Sequence, residues 1–125
     1  MDWIQYVILG LLVVFIMRKL MPVKGLKNLT QEDVMKLQQK RNEVVFIDVR
    51  EAFEYKSGHI QSFQNVPLST LEKRLNEIDR DKSIVLTCKS GMRSRQAAKV
   101  LLKYGFTKVS HLQSGLSGWT GSLVK

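Results

Sequence analysis

The chain has 125 residues and a formal charge of +9, from 20 Lys and Arg against 11 Asp and Glu, with one cysteine, Cys88. Once an apolar N-terminal segment is set aside, roughly 100 residues remain, enough for one domain around one core. A lone cysteine excludes an intrachain disulfide and a cluster of soft metal ligands, and it suits a reducing compartment; no metal or cofactor is expected.

Trp3 to Met17 is uncharged and almost wholly apolar, and Arg18 and Lys19 close it. At about 1.5 Å per residue a span needs about 20 residues. Leu20 and Met21 extend the run while Arg18 and Lys19 snorkel to the headgroups, and Trp3 and Tyr6 suit the opposite interface. Residues 1–21 are therefore expected to form one transmembrane helix, with residues 3–21 in the lipid bilayer. A cleaved signal peptide is the bland alternative, but only Asp2 precedes the run and no small-x-small cleavage site follows it. A core helix would leave few polar residues to face water. Arg18, Lys19, Lys24 and Lys27 follow the span, so the positive-inside rule predicts a single-pass protein with its C-terminal domain in the cytoplasm.

Pro22 to Gly25 interrupts any helix and reads as a linker; residues 22–28 are expected to hold this linker and a first short strand, and residues 29–125 the folded domain. Thr30 is placed to cap a helix with Asp33 in its first turn, and Leu29 to staple against Val34. Val44 to Asp48 is an apolar, β-branched run ending in a carboxylate, as in a strand buried on both faces. Glu51 to Ser57 predicts a short helix with Gly58 as a left-handed stop. Ser69-x-x-Glu72 reads as a capping box opening a helix with Leu71, Leu75 and Ile78 on one side. Ser83 to Thr87 is a second buried strand. From about Arg93 to Tyr104 a helix is predicted with Ala97, Ala98, Leu101 and Leu102 inward, Arg95, Lys99 and Lys103 outward, and Gly105 as its end. Lys108 to Leu112 is a last strand, and Gly115 to Trp119 a final turn. Alternating strands and helices predict an α/β fold with a mainly parallel sheet, whose reactive loops lie at the carboxyl ends of the strands. Asp48 and Cys88 both fall at that edge.

Cys88 sits where an apolar strand gives way to a helix, in the run CKSGMRS. Successive loop amides can converge there into an anion-binding nest, and the following helix directs its positive end at the same point. Those fields favour thiolate over thiol, which makes Cys88 a candidate nucleophile. After Asp81 no acidic residue occurs, whereas Lys82, Lys89, Arg93, Arg95, Lys99, Lys103, Lys108 and Lys125 follow. That excess argues for an anionic substrate. With no base-reading motif and no interleaved aromatics, nucleic acid is not expected as a partner.

The stretch IDVREAFEYKSGHI, then NVPLS, then CKSGMRS with AAKVLLKYGF behind it, and LQSGLSGW near the end, resembles a single-domain rhodanese from Leu26 to Trp119. The resemblance implies a five-stranded parallel sheet flanked by helices, here preceded by the transmembrane helix. It also implies sulfur transfer through a persulfide on Cys88. The loop amides of Lys89, Ser90, Gly91, Met92 and Arg93 would bind the sulfur. Lys89 and Arg93 would hold a small anionic sulfur donor such as thiosulfate, and Asp48 and Arg50 would support the site. An external thiol or protein would accept the sulfur, since no second cysteine is present. Two departures stand out. Gln61-Ser62-Phe63 replaces the usual Pro-Gly-Ala, and Ser114 stands where glycine is common.

A cation at a helix N-terminus opposes the macrodipole unless an anion sits there, so Arg93 reads as an anion binder. A thiolate formed by its surroundings needs no general base. His59 is accordingly expected to be structural, His111 to lie in the core or at the sheet edge, and Trp119 to pack near the C-terminus. Asp48 and Arg50 could instead form ion pairs with Glu51 or Glu54. Cysteine phosphatases and arsenate reductases use a related loop, but phosphatases of this fold place five residues between cysteine and arginine. Here there are four, Lys89 to Met92. A catalytically idle, membrane-tethered interaction module is the remaining alternative.

Overall fold

In the computed structural model, which describes residues 2–21 and 23–125, the two most apolar β-branched runs lie side by side at the centre of one sheet. Its strands are β1 (Leu26–Leu29), β2 (Val44–Asp48), β3 (Gln64–Asn65), β4 (Ser83–Thr87) and β5 (Val109–Leu112), all parallel, in the order β1-β5-β4-β2-β3. β2 and β4 pair from Val44 opposite Ser83 to Asp48 opposite Thr87, so both carboxyl ends reach the same edge. β1 pairs along its whole length with β5, so the sheet begins at Leu26; Pro22, in the expected linker, lies outside the described residues.

Side chains alternate across the sheet, and both faces are covered, which is why the central strands are unbroken apolar runs. On one face Ile47, Ile84 and Leu86 pack with Leu71 of α4 (Leu68–Leu71) and with Ala97, Ala98 and Leu101 of α5 (Met92–Lys103). On the other, Phe46, Val85 and Leu112 pack with Val34 of α2 (Gln31–Gln38), Ile60 and Phe63. α2 starts at the expected capping box: Asp33 N–H donates to Thr30 Oγ1 at 3.3 Å, and Thr30 N–H to Asp33 Oδ2 at 3.0 Å. α5 has the predicted outward lysines, with Lys99 and Lys103 exposed, while Arg95 and Leu102 are half-buried.

Two local expectations are corrected. No capping box forms at Ser69 and Glu72: Pro67, with φ −55°, already starts a helix before them, and after one turn the chain tightens into a 3-10 segment, Glu72–Glu77. Ser69 instead donates to Glu51 Oε1 at 3.0 Å, and Glu72 accepts the Tyr104 hydroxyl. The predicted inward side survives, with Leu71 and Ile78 buried and Leu75 packed against them. After α3 (Ala52–Ser57), Gly58 is not in the left-handed helical conformation; it takes φ +154° and ψ 134°, which turns its carbonyl to receive Arg50 Nη2 at 2.8 Å.

α1 (Asp2–Leu20) has 19 residues, none of them buried, and is long and apolar enough to cross a membrane. It is not a core helix: none of its residues joins either apolar cluster.

Candidate active site

β4 delivers Cys88 to the sheet edge, and the chain turns through Lys89, Ser90 and Gly91 into α5. The Cys88 sulfur, 1% exposed, receives the Gly91 N–H at 3.0 Å and the Ser94 N–H at 3.3 Å. Gly91 has φ +95°, and a Cβ on it would lie 2.4 Å from the Gln113 carbonyl oxygen, so only glycine makes this turn. Ser94 is the third residue of α5, where the N–H has no partner inside the helix and is free to face a ligand.

The loop's carbonyls are fixed the other way. Cys88 C=O accepts from Leu116 N–H and Lys89 C=O from Ser117 N–H, each at 2.9 Å. This close approach requires Gly115, whose Cβ would meet both carbonyls within 2.6 Å. Among the described residues, the amides of Lys89, Ser90, Met92 and Arg93 do not bond to the Cys88 sulfur itself, and Ser94 adds a donor that sequence reasoning missed. Lys89, Ser90 and Met92 are exposed beside it.

Arg93 is half-buried and carries a bidentate ion pair with Glu54 of α3, at 2.6 and 2.9 Å. Hydrogen bonds from Arg93 hold the Glu54 carboxyl down to about 2, against the opposing effect of burial. Asp48 and Arg50 pair with each other rather than with Glu51 or Glu54: Arg50 Nε and Nη2 reach the Asp48 carboxylate at 2.8–3.0 Å, and both side chains are buried. Asn65 Nδ2 ties their backbone carbonyls together at 3.0 and 2.9 Å. Directly beside Thr87 in the sheet, this buried pair braces the strand end that carries Cys88.

His59 stacks on Tyr55 at 3.7 Å between centroids, with Nδ1 2.9 Å from the Tyr55 carbonyl, a packing role remote from the sulfur's partners. His111 on β5 is buried, and sequence reasoning missed what it touches. Its Nδ1 lies 2.7 Å from Ser94 Oγ, which is 3.6 Å from Cys88 Sγ, and its Nε2 lies 2.8 Å from Asn28 Oδ1 on β1. Burial, reinforced by the Arg95 charge, pushes His111 down to about 4, so the ring is neutral at physiological pH. The only sequence signal was the serine that follows Arg93.

A buried sulfur that receives two N–H groups at a helix start is suited to carrying negative charge. The Rhodanese-like domain family matches residues 30–122. The Bacillus subtilis protein YqhL is 40% identical over 98 residues, covering 78% of this chain and 75% of YqhL. A sulfurtransferase of Allochromatium vinosum is 32% identical over 77 residues, 62% of this chain and 72% of that protein. The crystal structure of a thiosulfate sulfurtransferase from Pseudomonas aeruginosa superimposes with a TM-score of 0.69 at 29% identity, over 78% of this chain and 19% of that one. With the five parallel strands and with a match that runs from the cap of α2 to beyond Trp119, the chain belongs to the rhodanese-like domain family.

Proposed function

We propose that the protein is a membrane-anchored sulfurtransferase that moves a sulfane sulfur from an anionic donor such as thiosulfate to a thiol or cyanide through a persulfide on Cys88. The observation that carries this reading is the pair of N–H groups, Gly91 and Ser94, aimed at the Cys88 sulfur. The Cys88 thiolate attacks the outer sulfur of thiosulfate. The S–S bond breaks, sulfite leaves with the electron pair, and Cys88 retains the outer sulfur as an anionic persulfide. An acceptor thiolate then attacks that outer sulfur and expels the Cys88 thiolate, completing a ping-pong cycle.

The two donors face the charge of the resting thiolate, and in the persulfide, whose charge lies on the outer sulfur, the remaining loop amides are the groups placed to receive it. Lys89, Ser90, Gly91, Met92 and Arg93 form the donor-binding loop. Arg93 is oriented by Glu54, exposed Lys89 supplies an unfixed charge, and Asp48 and Arg50 hold the strand end from behind. α1 anchors the chain in the bilayer, and the basic residues Arg18, Lys19, Lys24 and Lys27 keep the folded part on the cytoplasmic side.

Intact mass after exposure to thiosulfate tests the reading. The parent gains one sulfur atom that cyanide removes, and Cys88→Ser gains none. A parent that takes up no labile sulfur from thiosulfate or from a low-molecular-weight persulfide would end it.

A further inference from the structure

We infer that His111, acting through Ser94, is a positioning residue whose tautomer is coupled to the charge on the Cys88 sulfur. This rests on Cys88 being the reacting group. Ser94 Oγ has three neighbours: the Gly91 carbonyl at 3.0 Å, His111 Nδ1 at 2.7 Å and Cys88 Sγ at 3.6 Å. Its single proton cannot serve all three, and the hydroxyl's orientation depends on what the imidazole presents.

When the sulfur is a neutral thiol, one arrangement satisfies every group. Cys88 S–H donates to Ser94 Oγ, Ser94 O–H donates to Nδ1, and Nε2–H donates to Asn28 Oδ1. When the sulfur is an anion, Ser94 must donate to it instead. That is possible if Nδ1 carries the proton and donates to Ser94 Oγ, while the Asn28 amide turns to donate to bare Nε2. Between the two states the thiol proton passes to Ser94, the serine's own proton passes to Nδ1, and the Nε2 proton leaves. No bond between heavy atoms changes, and one proton is released.

The structure gives that proton an exit. His111 and Asn28 line a cavity of about 280 Å³ together with Arg95, Gln113, Leu20, Val23 and Leu26, on the side of His111 away from the sulfur. Burial and the Arg95 charge disfavour an imidazolium, so the ring that gains a proton at one nitrogen gives one up at the other.

The test is ¹⁵N-histidine NMR on the full chain in detergent micelles, where two-bond couplings separate Nδ1–H from Nε2–H. In Cys88→Ser, where the group is neutral, His111 is expected as the Nε2–H tautomer, and it remains so after iodoacetamide blocks Cys88 in the parent. In the persulfidated parent, where the charge has moved to the outer sulfur and Cys88 Sγ is neutral, it is expected to remain Nε2–H. A rise in pH that removes the Cys88 proton shifts the parent to Nδ1–H and leaves Cys88→Ser unchanged; this arm stands even if no persulfide forms. A His111 signal indifferent to all four states overturns the proposal.

Alkylation rates at pH 7 give a second reading. Ser94→Ala and His111→Phe each lose about tenfold, the scale of one hydrogen bond to a charged group. His111→Asn, whose amide still donates to Ser94 Oγ, stays within about threefold of the parent. Equal rates in His111→Phe and the parent would also overturn it.

Discussion

Ser62 has φ +82°, in a region that L side chains rarely adopt, and it is the one described residue other than glycine to do so. The chain is held there by Gln38 Nε2 on the Gln61 carbonyl at 2.8 Å and by Phe63, buried against Phe46 with centroids 5.1 Å apart. A side chain in this conformation costs about 1–2 kcal/mol, partly offset in a glycine by its greater unfolded entropy. Ser62→Gly is expected to raise stability by about 0.5–1 kcal/mol in urea titration, with no gain from Ser62→Ala. This strain was foreshadowed in the sequence, because Ser62 stands at the glycine of the family's usual Pro-Gly-Ala. His111 was not legible in the same way: its partners Ser94 and Asn28 lie 17 and 83 residues away, and only the pairing of β1, β4 and β5 brings them together. Its titration has a definite sign. The unfolded chain binds a proton near 6.5 and the folded one only near 4, so stability falls as pH drops through that interval. The loss is on the order of 2–3 kcal/mol, and the slope flattens in His111→Asn.

Among the elements, α3 and α5 are joined by Glu54 and Arg93, and that pair links the residue proposed to bind the donor to the stability of the domain. Glu54 titrates near 2 when folded and near 4.5 when unfolded, so its contribution is complete above 4.5 and is lost as pH falls through 2. Because both side chains are partly exposed, at 33% and 20%, Glu54→Gln should cost only about 1 kcal/mol at neutral pH and a small fraction of that at pH 2, measured by denaturant titration across that range. In donor turnover, Arg93→Ala is expected to lower kcat/KM for thiosulfate about tenfold, the value of one charged contact, and Lys103→Ala to leave it unchanged. Equal losses would place the anion pocket elsewhere. The long elements were legible because apolar periodicity sets their buried faces: Val44–Asp48, Ser83–Thr87 and the α5 face of Ala97, Ala98 and Leu101 all hold. β3 has two residues, too few for any alternation to show, and the local capping pattern at Ser69 lost to a proline two positions earlier. The Glu54–Arg93 contact spans 39 residues and follows only from the placement of two helices.

For the molecule as a whole, charge and hydropathy sort into an apolar helix with no buried residue, a basic collar beside it, and a domain whose last acidic residue is Asp81. Protease added to intact cells is expected to leave residues 26–125 undigested, and to remove them once the membrane is opened; digestion in the intact cell would invert the orientation. The domain's far end has its own hold: Val124 exchanges two backbone hydrogen bonds with His59, at 2.8 and 2.9 Å, so the tail lies across the region next to α3. Nearer the sulfur, Leu116 and Ser117 grip the carbonyls of Cys88 and Lys89. The closing stretch of chain is thus a splint for the reactive turn. Cut away before Leu116, it would leave two oxygens free to swing inward, toward a sulfur that the turn now meets with N–H groups.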